Sequence, residues 1–327
     1  MIRDQWYVIL ESRQVRKNPK RFRRMGEELV LWRDANGKVN CLVDSCCHRG
    51  AALSKGKLLK NGRLQCPFHG LEFKGDGKCE RIPANGRGAA PPENFRVPDY
   101  PTYEEHGWIW IWWGRPESGI PQTRPEYFPD ISAKFGSYTV IDSWKAHYSR
   151  VIENQLDVAH LPFVHHNTIG RGERTLVDGP GIQWIGDRML YVYVFNRKDD
   201  GSRPKKPSEI PVPPKDRTFR LELIMPNIWE NRIAEKLRLA AAFVPVDEEN
   251  TLLYMKTYMP ALRIPLIGKL IGWLFGRINK IIAHQDRRVV ETQQPKASAL
   301  KSREQLIQGD LPIVEYRRKR EIMKNAK

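Results

Sequence analysis

Two short stretches decide the fold class: Cys46-Cys47-His48-Arg49-Gly50 and Cys66-Pro67-Phe68-His69-Gly70. Each stretch offers one cysteine and one histidine, first as Cys-x-His and then as Cys-x-x-His. Two thiolates and two imidazoles suit either a [2Fe–2S] cluster with mixed ligands or a zinc ion. A zinc finger usually presents both cysteines before both histidines, whereas the two types alternate here. We therefore predict an iron–sulfur cluster whose ligands are Cys46, His48, Cys66 and His69.

The other cysteines, and the glycines of the two stretches, have structural interpretations. Gly50 and Gly70 are expected to let the backbone pass close to the cluster, where a side chain would collide. Cys47 adjoins a ligand and could be mistaken for one; we interpret it as a small apolar residue packed under the cluster. Cys41 and Cys79 are interpreted as core residues. Because all five cysteines fall in the first quarter of the chain, a metal site in a reducing cytoplasm is favoured over a disulfide framework.

Short strands are predicted around the two stretches. Residues 28–33 and 39–43 flank turn-forming residues, which is typical of a hairpin. Residues 107–113 are aromatic and β-branched, so a buried strand is expected. The proline-rich residues 116–129 predict a connection, and we place the domain boundary near residue 130. Residues 1–130 then form an iron–sulfur domain and residues 131–327 a second domain.

The second domain mixes helical and strand patterns. Residues 149–160 and 264–292 are predicted helices, and the longer one has apolar residues at steps of three and four, which we interpret as a face packed on the core. Alternating patterns predict antiparallel strands at residues 182–196, 217–229, 236–246 and 250–260. The predicted fold class is α+β, with a β-rich N-terminal domain followed by an antiparallel sheet flanked by helices, similar to a helix-grip fold.

The predicted helix 149–160 and the residues just after it carry a second set of metal-binding side chains. On an ideal helix, Asn154, Asp157 and His160 share an arc of about 120°, whereas His165 points elsewhere. Pro162 disrupts helix geometry, so a local break could return His165 to the side of His160. Two histidines and one carboxylate on one side of an iron leave positions open for O₂ and substrate. We therefore predict a mononuclear iron site here.

The carboxylate of this second site must come from another part of the chain. Asp286 is the candidate, because it lies toward the end of the long predicted helix among basic side chains. His166 is the alternative to His165, and Glu291 is the alternative to Asp286. The predicted iron ligands are His160, His165 and Asp286.

The two patterns together resemble the Rieske non-haem iron oxygenases. The first pair of stretches resembles the Rieske box, although Cys47 stands where the family often has proline and Leu71 where it often has an aromatic residue. Asn-x-x-Asp-x-x-His-x₄-His, followed far downstream by residues 285–291, resembles the catalytic domain of the aromatic-ring-hydroxylating and O- or N-demethylating members. The resemblance spans nearly the whole chain and implies a terminal oxygenase α subunit. It also implies that Cys46 and Cys66 hold one iron of the cluster, and His48 and His69 the other.

The same resemblance implies how the two centres work together. The family forms a head-to-tail α₃ trimer in which the cluster of one subunit serves the iron of the next. A carboxylate at the position of Asp157 bridges a cluster histidine, here His69, to an iron ligand, here His160, so Asp157 is expected to be a catalytic residue. Asn154, which begins the same motif, is also expected to be catalytic. Because the chain shows no flavin or nicotinamide fingerprint, electrons from NADH or NADPH are expected to arrive through a separate reductase, often with a ferredoxin.

The charge of the chain suggests which partners it meets. Lysine and arginine number 55 against 38 acidic residues, a formal charge of +17. A basic surface suits an acidic ferredoxin, while nucleic acid is not expected, because no zinc-finger, RNP-like or phosphate-loop pattern occurs. The basic C-terminal residues are interpreted as a loose, solvated tail. Without a secretory or membrane-spanning pattern, a cytoplasmic location is expected, with peripheral membrane contact through residues 262–283 as an additional hypothesis.

Two readings of function follow from the sequence. In the first, the chain hydroxylates or oxidatively demethylates an apolar small molecule, aromatic or lipid-like, using O₂. In the alternative, it is a Rieske electron-transfer protein whose second domain lacks oxygenase activity. Several apolar residues of one predicted strand are candidates for the substrate pocket: Phe219, Leu221, Leu223, Ile224 and Trp229.

Overall fold

The computed structural model describes residues 1–114, 123–131, 134–214 and 219–326. Contacts within the chain divide it into two compact units. The first comprises Met1–Pro125 and Pro245–Asp247, and the second Glu126–Val244 and Glu248–Lys327. Of the proline-rich connection predicted at residues 116–129, residues 116–122 lie outside the described residues.

The first unit is built from short antiparallel strands. They are β1 (Gln5–Glu11), β2 (Lys20–Arg24), β3 (Glu27–Arg33), β4 (Val39–Val43), β5 (Lys57–Leu58), β6 (Leu64–Gln65), β7 (Glu72–Phe73), β8 (Cys79–Arg81), β9 (Thr102–Glu105) and β10 (Trp108–Trp113). Over the described residues they form sheets of the order β1-β10-β9, β2-β3-β4 and β5-β6-β7-β8. The predicted hairpin is confirmed, because β3 pairs antiparallel with β4, and the predicted aromatic strand is β10. Single-turn 3₁₀ helices occur at Ser12–Gln14, Leu53–Lys55 and Pro83–Asn85.

Apolar packing anchors the cysteines of the first unit. Cys41 belongs to one buried cluster, and Cys46, Cys66 and Cys79 belong to another. Cys41 and Cys79 are therefore core residues, as predicted. Because the second cluster contains Cys46 and Cys66, it anchors the first residue of each cysteine–histidine loop in the core.

The second unit is organised around one antiparallel sheet. Its strands are β11 (Gly136–Trp144), β12 (Leu176–Ile185), β13 (Met189–Arg197), β14 (Leu221–Ile224), β15 (Ile228–Ala234), β16 (Leu237–Pro245) and β17 (Thr251–Met259). Among the described residues the order is β11-β17-β16-β15-β14-β13-β12. With the helices beside it, this sheet confirms the α+β fold class.

Two of the predicted strands are divided by turns. The prediction of single strands at 182–196 and 217–229 is wrong, because a turn at 186–188 separates β12 from β13 and a turn at 225–227 separates β14 from β15. Gly186 adopts φ +58°, a left-handed conformation that ends the extended pattern. Residues 217 and 218 of the second prediction lie outside the described residues.

The helices of the second unit are α1 (Tyr148–Leu156), α2 (Leu161–Val164), α3 (Ile267–Val290) and α4 (Leu311–Asn325), with single 3₁₀ turns at Pro207–Glu209, Pro260–Arg263 and Gln308–Asp310. The prediction that a helix runs from 149 to 160 is wrong, because α1 ends at Leu156. Asp157 caps this end, and its Oδ1 accepts a hydrogen bond of 2.7 Å from the N–H of Ala159. Such a local side-chain bond competes with the helix and turns the backbone away. The break therefore precedes Pro162, which lies in the first turn of α2.

Helix α3 packs through glycines, Ala283 and Val290 rather than through its stripe of isoleucine and leucine. A Cβ at Gly272 would lie 2.5 Å from Tyr138 Cδ2, and one at Gly276 would lie 2.7 Å from Val140 Cγ1. The helix thus lies directly against β11. The interpretation of the apolar stripe as a core face is wrong, because its members are exposed or only partly buried: Ile264, Ile267, Ile271, Leu274, Ile278 and Ile281. Over the described residues, no helix is long and apolar enough to cross a membrane.

The basic C-terminal residues form α4 and are partly buried, so the interpretation of a loose tail is wrong. Arg317, which is 3% exposed, donates to both carboxylate oxygens of Glu153 at 2.8 and 2.9 Å. It also pairs with Glu304 at 2.6 Å. Buried charges persist when they are paired in this way, and the pairs hold α4 against α1.

Candidate metal centres

The two cysteine–histidine loops of the first unit adopt the same turn. The carbonyl of Cys46 accepts the N–H of Gly50 at 2.8 Å, and the carbonyl of Cys66 accepts the N–H of Gly70 at 3.2 Å. The N–H of each cysteine also donates to the carbonyl five residues ahead. Gly50 and Gly70 adopt φ of +70° and +75°. Glycine is favoured at both positions because it adopts this left-handed conformation without steric cost.

The side chains of these loops divide into a buried pair and an exposed pair. Cys46 and Cys66 are each 3% exposed, whereas His48 and His69 are exposed, with ring centroids 4.8 Å apart. Burial raises the pKa of the Cys46 thiol to about 12, so a bound cation is needed to hold the thiolate. Two inner thiolates and two outer imidazoles fit a [2Fe–2S] cluster with its irons in different ligand fields.

Cys47 lies in the same loop but differs from its neighbours. Its side chain is exposed, whereas Cys46 is buried. The interpretation that Cys47 packs under the cluster is therefore wrong. It follows the buried ligand position by one residue, and the turn points it away from the core.

A second group of ligands forms in the other unit, at the ends of short helix α2 and on α3. His160 precedes α2 and His165 follows it, so one helical turn brings their ring centroids to 5.2 Å. Asp286 lies in the C-terminal half of α3. One potential ligand atom from each of the three residues lies within 4.8 Å of the other two. The structure thus brings together the three side chains predicted from the sequence as iron ligands.

The directions of these atoms fit a cation. Asp286 Oδ1 is 2.9 Å from His165 Nε2 and 3.4 Å from His160 Nε2. Within the described part of the chain, however, this buried oxygen accepts no well-directed hydrogen bond. Buried polar atoms without directed partners are unusual. The short distances without a directed hydrogen bond are those expected of three ligands of one metal ion.

The charges around His160 also favour a cation. Burial lowers the pKa of His160, but the carboxylates of Asp157 and Asp286 outweigh this effect and raise it to about 9. Burial raises the pKa of Asp286, but His160 and His165 together lower it by more, so its net pKa is below the usual value. Two carboxylates on opposite sides of one imidazole therefore make a site that attracts positive charge.

Asp157 contacts the side of His160 that faces away from Asp286. The carboxylate of Asp157 is 3.4 Å from Nδ1 of His160, whereas Asp286 is near Nε2. A carboxylate at the outer nitrogen of a metal-binding histidine orients the ring and increases its basicity. Asp157 reaches this position as the cap of α1, not from a helical face.

Gln285 is a site residue that the sequence analysis missed. Its Oε1 accepts from Nδ1 of His165 at 2.8 Å and from the hydroxyl of Thr168 at 2.9 Å. Its Nε2 donates to Asn167 Oδ1 at 2.8 Å. This bond places the proton of His165 on Nδ1 and leaves Nε2 as the ligand atom. Its position beside Asp286 was the only sequence signal, because the contact joins residues 120 apart.

A cavity of about 680 Å³ adjoins the three ligands. Asn154, predicted to be catalytic, lines it with His160 and Asp286. The Nδ2 atom of Asn154 is buried and has no hydrogen-bond partner among the described residues, so it is available to a bound molecule. Apolar residues from several strands line the rest: Leu221, Trp229, Leu239, Leu253 and Met255.

The predicted pocket residues and the alternative ligands are distributed unevenly. Phe219, Leu221 and Trp229 line the cavity, whereas Leu223 and Ile224 are buried in the sheet without lining it. Of the alternative ligands, His166 is exposed and its Nδ1 is bonded to the carbonyl of Phe163. Glu291 accepts a hydrogen bond of 2.8 Å from the N–H of Lys145. Neither alternative joins the group of three.

A cluster-binding loop pair in one unit and a His₂–carboxylate group in the other define the class of Rieske-type oxygenases. Comparison with protein families agrees: the Rieske [2Fe-2S] domain matches residues 5–101, and the vanillate O-demethylase oxygenase C-terminal domain matches residues 144–326. The chain belongs to the Rieske oxygenase family with this C-terminal domain. The family's cofactors are a [2Fe–2S] cluster and a mononuclear non-haem iron.

Curated relatives match part of the chain. The oxygenase component of dicamba O-demethylase from Stenotrophomonas maltophilia is 34% identical over 188 residues, which cover 55% of this chain and 54% of the relative. Chlorophyllide a oxygenase from Chlamydomonas reinhardtii is 35% identical over 175 residues, which cover 52% of this chain and 26% of the relative. The chain therefore spans about half, or less, of these relatives.

Solved structures match the fold over nearly the whole chain. Dicamba monooxygenase bound to dicamba superposes with a TM-score of 0.74 at 21% identity, covering 99% of this chain and 98% of that one. NdmA of Pseudomonas putida CBB5 with caffeine gives a TM-score of 0.75 at 21% identity, covering 98% and 90%. At this identity the likeness concerns the fold.

Proposed function

We propose that this chain is a terminal oxygenase that uses O₂ and externally supplied electrons to hydroxylate or oxidatively demethylate an apolar small molecule. Residues 1–130 are the Rieske [2Fe–2S] domain and residues 131–327 the mononuclear iron domain. The observation that carries the proposal is the convergence of His160, His165 and Asp286 beside a cavity. An electron carrier needs the cluster loops alone and has no use for a second ligand group next to a substrate-sized space.

The proposed ligands have separate roles. When bound, the cluster supplies electrons one at a time and the mononuclear iron supplies O₂ activation. Cys46, Cys66, His48 and His69 hold the cluster, and His160, His165 and Asp286 hold the mononuclear iron.

Asn154 and Asp157 act beside the iron ligands. Asn154 offers an unbonded N–H group to a molecule in the cavity. Asp157 orients His160 through its outer nitrogen, and we propose that it also bridges to His69 of the neighbouring subunit. That bridge is supported by the family resemblance and by the exposure of His69, which leaves the ring accessible to another chain.

The partners follow from the same proposal. We infer a head-to-tail α₃ homotrimer, a ferredoxin or flavin reductase that brings electrons from NAD(P)H, and a cytoplasmic location. The exposed His48 and His69, beside Arg49 and the exposed Phe68, offer a contact patch with apolar and cationic parts. Such a patch suits an acidic redox protein that docks briefly. Peripheral membrane contact is proposed through α3.

The lining of the cavity indicates the substrate class. Leu221, Trp229 and Met255 offer apolar surface, while the exposed Arg171 and Arg174 line the same cavity. An apolar body therefore meets the sheet, and an anionic group on the substrate meets the arginines. This combination favours a mainly apolar molecule that carries one anionic group over a neutral hydrocarbon.

Metal analysis of the purified, anaerobically prepared chain tests the proposal. The oxygenase requires about three irons and two labile sulfides per chain, whereas an electron carrier requires about two irons. We expect Rieske-type visible absorption and a rhombic EPR signal from the reduced protein. Zinc without labile sulfide would refute the cluster, and two irons at full sulfide occupancy would favour the electron carrier.

A further inference from the structure

The outward face of helix α3 is a continuous apolar surface. Leu266 is 77% exposed, Leu270 is 66% exposed and Trp273 is 50% exposed. Further exposed apolar residues extend the same surface: Ile267, Leu274, Ile278 and Ile281. With 24 residues, the helix is about 36 Å long. The stripe from Leu266 to Ile281 covers about 22 Å of it. Isolated apolar side chains are normal on a surface, but a continuous stripe calls for a partner.

The helix does not need this stripe for its own packing. Its opposite face holds Gly268, Gly272 and Gly276, which lie against Tyr138, Val140 and the backbone of Leu262. These glycines let the helix approach the sheet closely while its long side chains point outward. The stripe is therefore not needed to pack the helix. Its exposure to water is unfavourable, and a binding partner that buries it would remove that cost.

The charges beside the stripe select the partner. Lys269, Arg277 and Lys280 are exposed on the same helix. On an ideal projection, Lys269 and Lys280 flank the stripe on one side, and Arg277 lies within it. Residues 250–285 contain no aspartate or glutamate. This part of the helix therefore contributes only positive charge to the stripe, which complements an anionic layer.

Trp273 adds an interfacial feature. Its ring is half exposed, and the guanidinium of Arg277 lies 5.2 Å from the ring centroid. Tryptophan and arginine together favour the boundary between lipid headgroups and acyl chains. An acidic protein partner would pair with the cations but would leave most of the apolar stripe unused.

We propose that helix α3 docks lengthwise on an anionic lipid surface. The stripe that contains Leu266, Leu270 and Leu274 enters the acyl boundary, and Lys269 and Lys280 meet lipid phosphates and carboxylates. This is the arrangement of an interfacial amphipathic helix, which lies in the membrane plane without crossing it.

The position of the cavity gives the docking a consequence that rests on the proposed function. Asn279 and Ile282 of the same helix line the cavity, and Asp286 follows one turn later. These residues lie on the side of the helix away from the stripe, so a docked helix holds the proposed iron site about one helix diameter, about 10 Å, from the lipid. The expected substrate is then an amphiphile taken from the membrane. Such a molecule would place its apolar part against the apolar lining of the cavity and its anionic group near the two arginines.

Vesicle binding by the metal-loaded full chain tests the docking independently of any oxygenase activity. The probes are vesicles of phosphatidylcholine with about one third phosphatidylserine, and vesicles of phosphatidylcholine alone. We expect wild-type protein to sediment with the anionic vesicles and much less with the neutral ones. The Leu270→Ser/Trp273→Ser variant should bind more weakly by at least about tenfold for each of its two lost apolar side chains. The Lys269→Gln/Lys280→Gln variant should lose about fivefold per cation, on anionic vesicles only.

Ile322→Ser is the matched control, because Ile322 is 58% exposed on the basic helix α4 but lies outside the stripe. It should bind vesicles as wild type does, and every variant should retain the cluster absorption. Wild-type protein that stays in solution with anionic vesicles overturns the proposal, as does an equal loss in Ile322→Ser. Dissociation of an oligomer by Leu270→Ser/Trp273→Ser also overturns it, since a second copy of the chain would then cover the stripe. Failure of oxygenase activity alone, with vesicle binding intact, refutes only the proposed function.

Discussion

Replacing Gln285 by alanine should weaken iron binding at the His160, His165 and Asp286 site without removing any ligand. In the wild type, Gln285 Oε1 lies 2.8 Å from His165 Nδ1, and His165 is 1% exposed. Alanine leaves that buried N–H without its acceptor. When iron fixes the ring through Nε2, the imidazole cannot turn to find another partner, so the penalty falls on the metal-bound state.

The magnitude follows from the cost of an unpaired buried donor. That cost is about 1–3 kcal/mol, which corresponds to about 5- to 150-fold in the dissociation constant. Losses of about 10- to 100-fold are typical when the partner of a metal-binding histidine is removed. We therefore expect Gln285→Ala to bind Fe(II) between ten and one hundred times more weakly, within this range.

Chelator competition under anaerobic conditions measures the effect, with the cluster absorption as an internal reference for folded protein. Gln285→Glu keeps an acceptor toward His165 and should restore affinity close to that of wild type. Thr168→Val removes the other donor to Gln285 Oε1 but leaves His165 paired, so its affinity should also stay close to wild type. Equal iron affinity in wild type and Gln285→Ala would refute the positioning role, and equal losses in all three variants would indicate a general disturbance of the site.

Three further predictions probe the site and its support. Asp286→Ala should abolish mononuclear iron binding and leave the Rieske spectrum intact, as seen by metal analysis and EPR; Glu291→Ala should keep both metal centres, and the reverse pattern would mean that the carboxylate was misassigned. Asp157→Asn should retain both metal centres but make little product, because an amide cannot supply a carboxylate's charge to two imidazoles; single-turnover oxidation of the cluster at the wild-type rate would contradict this. Arg317→Met should destabilise the second unit by about 1–3 kcal/mol, because it removes two charged hydrogen bonds to buried Glu153 and leaves Arg150 as the remaining partner. Arg318→Met, on the exposed side of the same helix, should cost less than about 1 kcal/mol; similar shifts in thermal midpoint for both would rule out a special role for the buried network.

The ligand residues of both centres could be proposed from the sequence because they are encoded locally. Cys46 and His48 lie two residues apart, and His160 and His165 lie five apart, so a single turn sets each pair. Asp286 is the exception, because it is far from the histidines in the sequence and was proposed from its place on the long predicted helix and from the family resemblance of residues 285–291. Gln285 could not be proposed, since its contact with His165 depends on how α3 lies across α2.

The path of the backbone between Asn154 and His160 also escaped the sequence analysis. A helix and a capped turn present the same residues in different directions, and an aspartate at position 157 is compatible with both. The side-chain bond from Asp157 to the N–H of Ala159 favours the turn, and that preference becomes visible only once the helix end is known. The approach of Asp157 to His160 therefore comes from a cap rather than from the shared helical face that was expected.

Helix α3 shows why the apolar pattern predicted the wrong packing face, although the same helix carries the predicted ligand Asp286. A stripe of isoleucine and leucine ordinarily predicts the core side of a helix, but here the glycines at 272 and 276 take that side. Small residues allow an approach to Tyr138 and Val140 that larger side chains would prevent. This close packing fixes where α3 lies on the sheet, and Gln285 and Asp286 are carried by the same rigid element. The proposed iron site is thus held in position by a glycine contact two to four turns away, while the opposite face of the helix stays exposed.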